Sequence, residues 1–155
     1  MIKDIINSKI AEALRKHDEI RLTTLRMLSS ALNYEFINKQ HDLSEEDEIA
    51  VVQREVKKRN DAVQSYKQVL EKDPVRVQEK IDKELKESSI LKEFLPPEMD
   101  ESELVKIVGD AIVKTKASSI KDMGKVIAVV KERVKGAADG GRIAQLVKRS
   151  LEGGN

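Results

Sequence analysis

The sequence predicts an all-helical protein built from two lobes, and three observations lead to this fold class. Only 3% of the 155 residues are aromatic and none is tryptophan, so the core has to be aliphatic. Apolar residues recur every three or four positions, the period of an amphipathic helix. The apolar runs are bounded by helix-capping or helix-breaking residues. A β-sandwich, whose strands draw on aromatic and β-branched residues, is disfavoured.

The first two helices are predicted at about residues 2–16 and from Ile20 onward, after the break at His17 and Asp18. The second helix carries the stretch LRMLSSALNYE and is apolar around much of its circumference. A helix of this kind is normally surrounded by other helices, so we expect it to be central.

The next two helices are predicted to form a long antiparallel hairpin. The third begins at a capping box made by Ser44 and Asp47, and its apolar seam continues to about Glu71. Asp73 followed by Pro74 combines an N-cap with a proline at the first helical position, and therefore opens the fourth helix.

A boundary between two lobes is predicted at Leu95-Pro96-Pro97, because proline removes a backbone donor and restricts the residue before it. This boundary divides the chain into an amino-terminal helical lobe, 1–96, and a carboxy-terminal three-helix bundle, 97–155. The three helices of the bundle start at capping residues, and the last two end at glycine; the capping residues are Asp100 with Glu103, Ser119 with Asp122, and Asp139.

Composition excludes several functional classes. The absence of cysteine excludes disulfides, thiolate catalysis and sulfur-ligated metals. No run of about 18 apolar residues occurs, so no membrane-spanning segment is expected. The charged amino-terminal segment MIKDIINSKI does not resemble a signal peptide. A cytoplasmic protein is expected.

Positive charge is concentrated in the last 44 residues. Residues 1–97 contain 18 Lys and Arg against 19 Asp and Glu, whereas residues 112–155 contain ten basic and four acidic residues, a net charge of +6. This asymmetry indicates a polyanionic partner.

The hairpin seam is interrupted by Arg59 and Glu84, which lie at similar distances from the turn near Asp73. In an antiparallel hairpin they would be about level, so we predict a structural ion pair between them that sets the register of the two helices. A positioned anion site is the alternative.

Several other groups have both a functional and a structural interpretation. Lys57 and Lys58 belong either to a ligand surface or to a solvated helix face. His17 and His41 lack the spacing of metal ligands and are interpreted as surface histidines. The glycine-containing stretches 122–125 and 136–142 are read either as helix ends or as helix N-termini that hold a phosphate.

Four motifs in order, LRMLSSALNYE, QREVKKR, LKEFLPPEMDESEL and KDMGKVIAVVKERVKGAADG, resemble the YqeY (GatB/YqeY) family over nearly the whole chain. The chain departs from the family pattern at Ile127, where Met is usual, and at Ala137, where a basic residue is common.

The family resemblance implies a four-helix lobe followed by a three-helix lobe. It also implies a relationship to the tail of the B subunit of tRNA-dependent amidotransferase and to an extension of some glutaminyl-tRNA synthetases, where the module helps to hold tRNA. The family is associated with carbon–nitrogen ligases that use glutamine as amido-N-donor, but their catalytic parts lie in other domains. No catalytic residue, cofactor or metal is predicted here.

The first functional hypothesis is a tRNA-binding accessory module. Its predicted contact residues are Lys125, Lys131, Lys135, Arg142, Lys148 and Arg149, followed by Lys57 and Lys58. The alternative is a protein-interaction adaptor that docks on an aminoacyl-tRNA synthetase or an amidotransferase through a hydrophobic groove between the lobes. A free amidotransferase is the third possibility.

Overall fold

A computed structural model describes residues 1–153 of the chain, and within them the secondary structure is helical throughout, with seven α-helices and no strand. The predicted all-helical class is confirmed. The chain divides into two compact units, Met1–Leu95 and Pro96–Asn155. The division into an amino-terminal lobe, 1–96, and a carboxy-terminal lobe, 97–155, stays a prediction.

The first unit contains four α-helices and one 3-10 turn. These are α1 (Ile2–Arg15), α2 (Glu19–Lys39), α3 (Glu45–Lys67), the 3-10 turn Leu70–Lys72 and α4 (Pro74–Lys92). Helix α3 thus ends about one turn earlier than its apolar seam suggests, and the 3-10 turn leads into α4.

The predicted helix starts of the hairpin are confirmed by their hydrogen bonds. The Ser44 hydroxyl accepts from the Asp47 backbone N–H, and the Asp47 carboxylate accepts from the Ser44 N–H. A hydrogen bond from Lys39 and the two bonds with Ser44 lower the pKa of Asp47 to about 2. At the start of α4, the Asp73 carboxylate accepts from the Arg76 N–H, with Pro74 at the first helical position.

Aliphatic side chains from all four helices form the core of the first unit. The fully buried leucines Leu25, Leu28 and Leu91 are at most 1% exposed. Burial of such a side chain stabilises the fold by about 1.5–3 kcal/mol relative to leaving it in water. This core fixes which faces of α2, α3 and α4 point outward.

Helix α2 is only partly surrounded, which differs from the expectation of a central helix. It packs against α1, α3 and α4 through Leu25, Leu28 and Leu32. Its second apolar face stays open to solvent, with Met27 46%, Tyr34 75% and Ile37 69% exposed. Three neighbouring helices on one side of α2 leave no further element of this unit to cover the other side.

The second unit is a three-helix bundle. It consists of α5 (Glu101–Thr115), a 3-10 turn (Ile120–Asp122), α6 (Met123–Val134) and α7 (Gly140–Glu152). Each helix contacts the other two and contributes one apolar stripe to a separate core. The capping box of Ser119 and Asp122 forms as predicted, whereas Asp100 occupies the N-cap of α5 without a side-chain capping bond.

Among the described residues, no helix has the length and apolar character needed to cross a membrane.

Candidate nucleic-acid interface

The outward face of α6 is basic, whereas its inward face packs in the core of the second unit. Val126, Val130 and Val134 are buried at intervals of four residues. Lys125 and Lys131 lie exposed on the rest of the helix surface, and Lys135, the residue that caps the helix at its carboxyl end, is exposed as well. None of these lysines forms an ion pair with any residue that the structure describes. Their ammonium groups are therefore available to an external anion.

The loop between α6 and α7 brings Lys131 to the start of α7. Lys135 ends α6 in the left-handed conformation, with φ of 45°, and Gly136 follows with φ of 88°. A Cβ placed on Gly140 would lie 3.8 Å from the Lys131 Nζ. One exposed cation is thus held beside the first residue of α7.

Two backbone N–H groups at the start of α7 are occupied within the chain. The Asp139 carboxylate accepts from the N–H of Gly141 at 2.9 Å and from that of Arg142 at 3.1 Å. Of the two interpretations of the glycine stretch 136–142, the structure shows the helix stop with its N-cap. The Asp139 carboxylate thus occupies two of the backbone donors that a phosphate would need.

The second glycine stretch, 122–125, is likewise a helix start. The Asp122 carboxylate accepts from the N–H groups of Ser118 and Ser119. These bonds, the one with Ser118 first, lower the pKa of Asp122, and the charge of Lys125 adds to the effect. Lys125 projects from the first turn of α6 beyond this cap.

The two predicted contact residues near the end of α7 differ in their surroundings. Lys148 lies 3.8 Å from the Glu152 carboxylate, one turn further along the helix, and both side chains are exposed. Arg149 is exposed and has no ion-pair partner among the described residues. Such an exposed i,i+4 pair is weak, so Lys148 can still turn to another anion.

Arg142 has a structural task within the bundle. Its guanidinium donates to the Glu98 carboxylate at 3.3 Å and to the Met99 carbonyl at 3.1 Å. The side chain is half-buried and ties the segment before α5 to the start of α7. This commitment makes Arg142 the least available of the predicted contacts in the second unit.

The predicted contacts of the first unit, Lys57 and Lys58, are both held by carboxylates. Lys57 pairs with Asp61 at 2.7 Å, and Lys58 pairs with Glu55 at 2.5 Å. The structure places them on α3, in the other compact unit from the lysines of α6.

Three further exposed lysines belong to the basic surface but were not among the predicted contacts. Lys114, Lys116 and Lys121 lie at the end of α5 and in the connection to α6, without ion pairs to the described residues. Because α5, α6 and α7 are joined by short loops, the end of α7 lies at the same end of the bundle as this connection. All three lysines are among the ten basic residues counted in residues 112–155, so the charge count was the sequence signal that could have found them.

The predicted pair of Arg59 and Glu84 is wrong by one helical turn. Arg59 Nε donates to Glu87 at 3.1 Å, and its Nη1 donates to Glu55 at 2.9 Å. Glu84 is only half-buried and has no ion pair among the described residues. The buried face of α4 includes Glu87 because α4 packs against α2 as well as α3. The simple seam of a two-helix hairpin does not contain that position.

A comparison with models of protein families gives a match over nearly the whole chain. The family model described as Yqey-like protein matches residues 3–151. The chain belongs to the YqeY family. No curated protein matches the chain. The family match covers nearly all of both compact units, and the motif LRMLSSALNYE of this YqeY-family chain lies on α2.

Glu48 is a polar group of this YqeY-family chain that sequence reasoning missed. It is 0% exposed, and its carboxylate accepts from the Ile2 N–H at 2.6 Å and the Lys3 N–H at 3.1 Å. The carboxylate therefore caps the first turn of α1 from a different helix. No local pattern reveals such a cap, because its partners lie 45 and 46 residues away.

The described residues contain no cluster of three His, Asp or Glu side chains placed to hold a metal ion. His17 occupies a turn with φ of 53°, and the His41 Nδ1 contacts the Asp42 carbonyl at 2.8 Å. Both histidines are exposed, as expected for surface residues.

Proposed function

We propose that this chain is a non-catalytic accessory module that binds tRNA, and that the basic surface of its second unit contacts the phosphate backbone. The observation that carries the proposal is the set of exposed lysines without ion pairs to described residues, namely Lys114, Lys116, Lys121, Lys125, Lys131 and Lys135. Family membership supports it through the resemblance to the tail of the B subunit of tRNA-dependent amidotransferase.

The proposed mechanism is electrostatic. Each lysine that neutralises a phosphate releases condensed counterions, which makes the affinity fall as salt rises. Lysine is a compact point charge on a flexible stem, so it follows a folded backbone without reading bases. A folded RNA is recognised mainly by shape and by its phosphates and 2′-hydroxyls, and lysines spread over one end and one face of a small bundle suit that task.

The distribution of ion pairs supports the second unit as the binding side. An anion gains most from cations that have no carboxylate to leave, and α6 supplies Lys125, Lys131 and Lys135 in this state. In the first unit, Lys57 and Lys58 would each have to give up a carboxylate partner. We therefore assign the main contacts to the second unit.

The test is charge removal on α6 with a matched control. In the full chain, Lys125, Lys131 and Lys135 are replaced together by Gln, and tRNA affinity is measured between low and physiological salt. The control replaces Lys67, Lys72 and Lys92 by Gln; these are also exposed lysines, lie in the first unit and have no ion pairs to described residues. Both variants lose the same net charge.

The α6 variant is expected to flatten the plot of log affinity against log salt by about 2–3, since each phosphate contact contributes roughly 0.7–0.9. The control variant should keep the wild-type slope within about 1. Equal slopes in the two variants would show that α6 is not the binding side.

A further inference from the structure

The exposed face of α2 carries apolar side chains that lie outside the aliphatic core of the first unit. Met27, Ser30, Tyr34 and Ile37 lie three and four residues apart and share one side of the helix, which we term the α2 outward face. Its three large side chains are 46%, 75% and 69% exposed for Met27, Tyr34 and Ile37. Such a spacing is the seam that one helix presents to another.

The opposite side of α2 packs in the core of the first unit. Leu25, Leu28 and Leu32 are at most 3% exposed and pack among α1, α3 and α4. The outward residues of LRMLSSALNYE therefore contribute nothing to this core, although a solvated helix face is normally polar. A row of exposed apolar side chains on a small unit marks an interaction site.

At one end of the α2 outward face, Met27 contacts a buried side chain. The Nη2 of the buried Arg59 contacts the Met27 sulfur at 3.6 Å. The same guanidinium is bonded to Glu55 and Glu87, so it has a fixed position. Ser30 in the middle is small and lets another backbone approach closely. The Met27 end of the face is therefore preorganised, which lowers the ordering cost of binding there.

Cations border this face. Arg26 is exposed and makes no ion pair with any residue that the structure describes. On the α3 side, Arg54 and Lys58 are 58% and 66% exposed, while their carboxylate partners are only 15% and 9% exposed. In both of these pairs the cation is thus the more exposed partner. Between residues 23 and 37, α2 contains one acid, Glu35, and it is the half-buried partner of Arg54.

We propose that the α2 outward face docks an amphipathic helix of a protein partner whose apolar row is flanked by acidic residues. The apolar row of the partner would lie along Met27, Tyr34 and Ile37, and its Asp or Glu side chains would meet Arg26, Arg54 and Lys58. This is the helix-in-groove mode of recognition, with charge complementarity at the rim setting orientation and specificity.

The same observations argue against two other occupants. A second copy of this chain would bring Arg26, Arg54 and Lys58 against the same cations, and like charges at a contact are costly. An RNA would find one aromatic ring, Tyr34, beside the aliphatic Met27 and Ile37, which offer no stacking surface for bases. The proposal concerns the first unit only, so it stands or falls independently of tRNA binding by the second.

The test is selection of helical peptides on the immobilised full chain, from a library randomised on one helix face and its flanks. Selected peptides are synthesised, and their affinities are measured by fluorescence anisotropy against three chains. These are the wild type, the double variant Tyr34→Ala/Ile37→Ala, and a matched control, Val75→Ala/Val113→Ala, which removes apolar side chains that are 74% and 78% exposed elsewhere. Circular dichroism checks that both variants keep wild-type helicity.

The selected peptides are expected to carry an apolar row at helical spacing with Asp and Glu at its flanks. Their affinity should fall about tenfold or more for the Tyr34→Ala/Ile37→Ala chain, fall also for Arg26→Glu, and stay at the wild-type value for the control. Selection of no peptide, or of peptides that bind the double variant as well as the wild type, overturns the proposal.

Two further measurements decide between occupants. Sedimentation equilibrium should show a monomeric chain; a dimer that Tyr34→Ala/Ile37→Ala dissociates would assign the face to a second copy. Affinity for tRNA should be the same for the double variant and the wild type. A loss of tRNA affinity in that variant, with peptide binding retained, would assign the face to RNA.

Discussion

Arg59 is the residue that joins three helices of the first unit through a single guanidinium. It is 6% exposed, and it donates to Glu55 of its own helix and to Glu87 of α4, and contacts Met27 of α2. The two carboxylates are also buried, at 7% each. Removal of the cation would leave both acids without their main compensation.

The substitution Arg59→Ala should therefore lower the free energy of unfolding by about 3–5 kcal/mol, the usual cost of breaking a buried ion pair from one side. Urea denaturation measures it. The control Lys57→Ala, which removes an exposed i,i+4 pair with Asp61, should cost at most about 0.5 kcal/mol. A cost for Arg59→Ala close to that of the control would contradict the structural role of this network.

Glu84 lies near the same network and has no bonded cation among the residues that the structure describes. Burial and the charge of Glu87 raise its pKa above the ordinary value of 4.5, against smaller opposing effects of Arg59 and Lys83. The folded state therefore holds this proton more tightly than the unfolded state. The ionised group destabilises the fold, and stability is lost as the pH rises through the folded pKa.

The variant Glu84→Gln is expected to be more stable than the wild type at pH 7 and equal to it at pH 3, where both side chains are neutral. Thermal unfolding at the two pH values measures the difference, with Glu79→Gln on the exposed side of α4 as control. A wild type that is more stable than Glu84→Gln at pH 7 would mean that Glu84 is, after all, an effective partner of Arg59.

At the scale of the helix, α5 contains a glycine that no contact explains. Gly109 lies in the middle of the helix, and a Cβ placed on it meets no atom of the described residues within 4 Å. Glycine in a helix interior costs stability because the unfolded chain has more freedom to lose.

The substitution Gly109→Ala should stabilise the second unit by about 0.5–1 kcal/mol. The change in stability is measured from the denaturant midpoint of the full chain. Hydrogen exchange of the second unit shows whether the change lies in that unit. Gly136→Ala is the matched comparison, because its φ of 88° favours glycine, and it should destabilise the unit instead. A destabilising effect of Gly109→Ala would reveal a close contact on this face.

Helix limits were largely predictable because they depend on local chemistry. Ser44 with Asp47 and Asp73 before Pro74 act within one turn, so sequence alone locates them. The partner of Arg59 was not predictable from the hairpin seam, since a third helix, α2, widens the buried face of α4 to include Glu87. The capping role of Glu48 was not predictable either, because its carboxylate bonds α1 only through tertiary packing.

The positive charge of the candidate site and its place in the chain were predictable from the sequence. The individual residues that form it were less predictable. Net charge and helical period are sequence properties, and they led to the exposed lysines of α6. Which cations are already occupied depends on neighbours in space. Arg142 is tied to Glu98, and Lys58 to Glu55, and neither partner follows from charge counting.

At the scale of the whole molecule, each compact unit has its own core, which suggests that the second can fold alone. Its core contains Leu104, Val108, Val130, Ile143 and Val147, all 0% exposed. Residues 96–155 should therefore give a helical circular-dichroism spectrum and a cooperative thermal transition, with low stability because a chain of this size buries little surface. A fragment with the spectrum of a random coil would show that the second unit needs the first.

The central claim is that the second unit binds tRNA through phosphate contacts, and binding of the full chain to tRNA across a salt titration tests it most directly. The reference ligand is duplex RNA of equal charge. Saturable binding that is tighter for tRNA, and that weakens linearly in log affinity against log salt, is the predicted result. Absence of binding at low salt, or equal affinity for both RNAs, would contradict tRNA recognition by this chain.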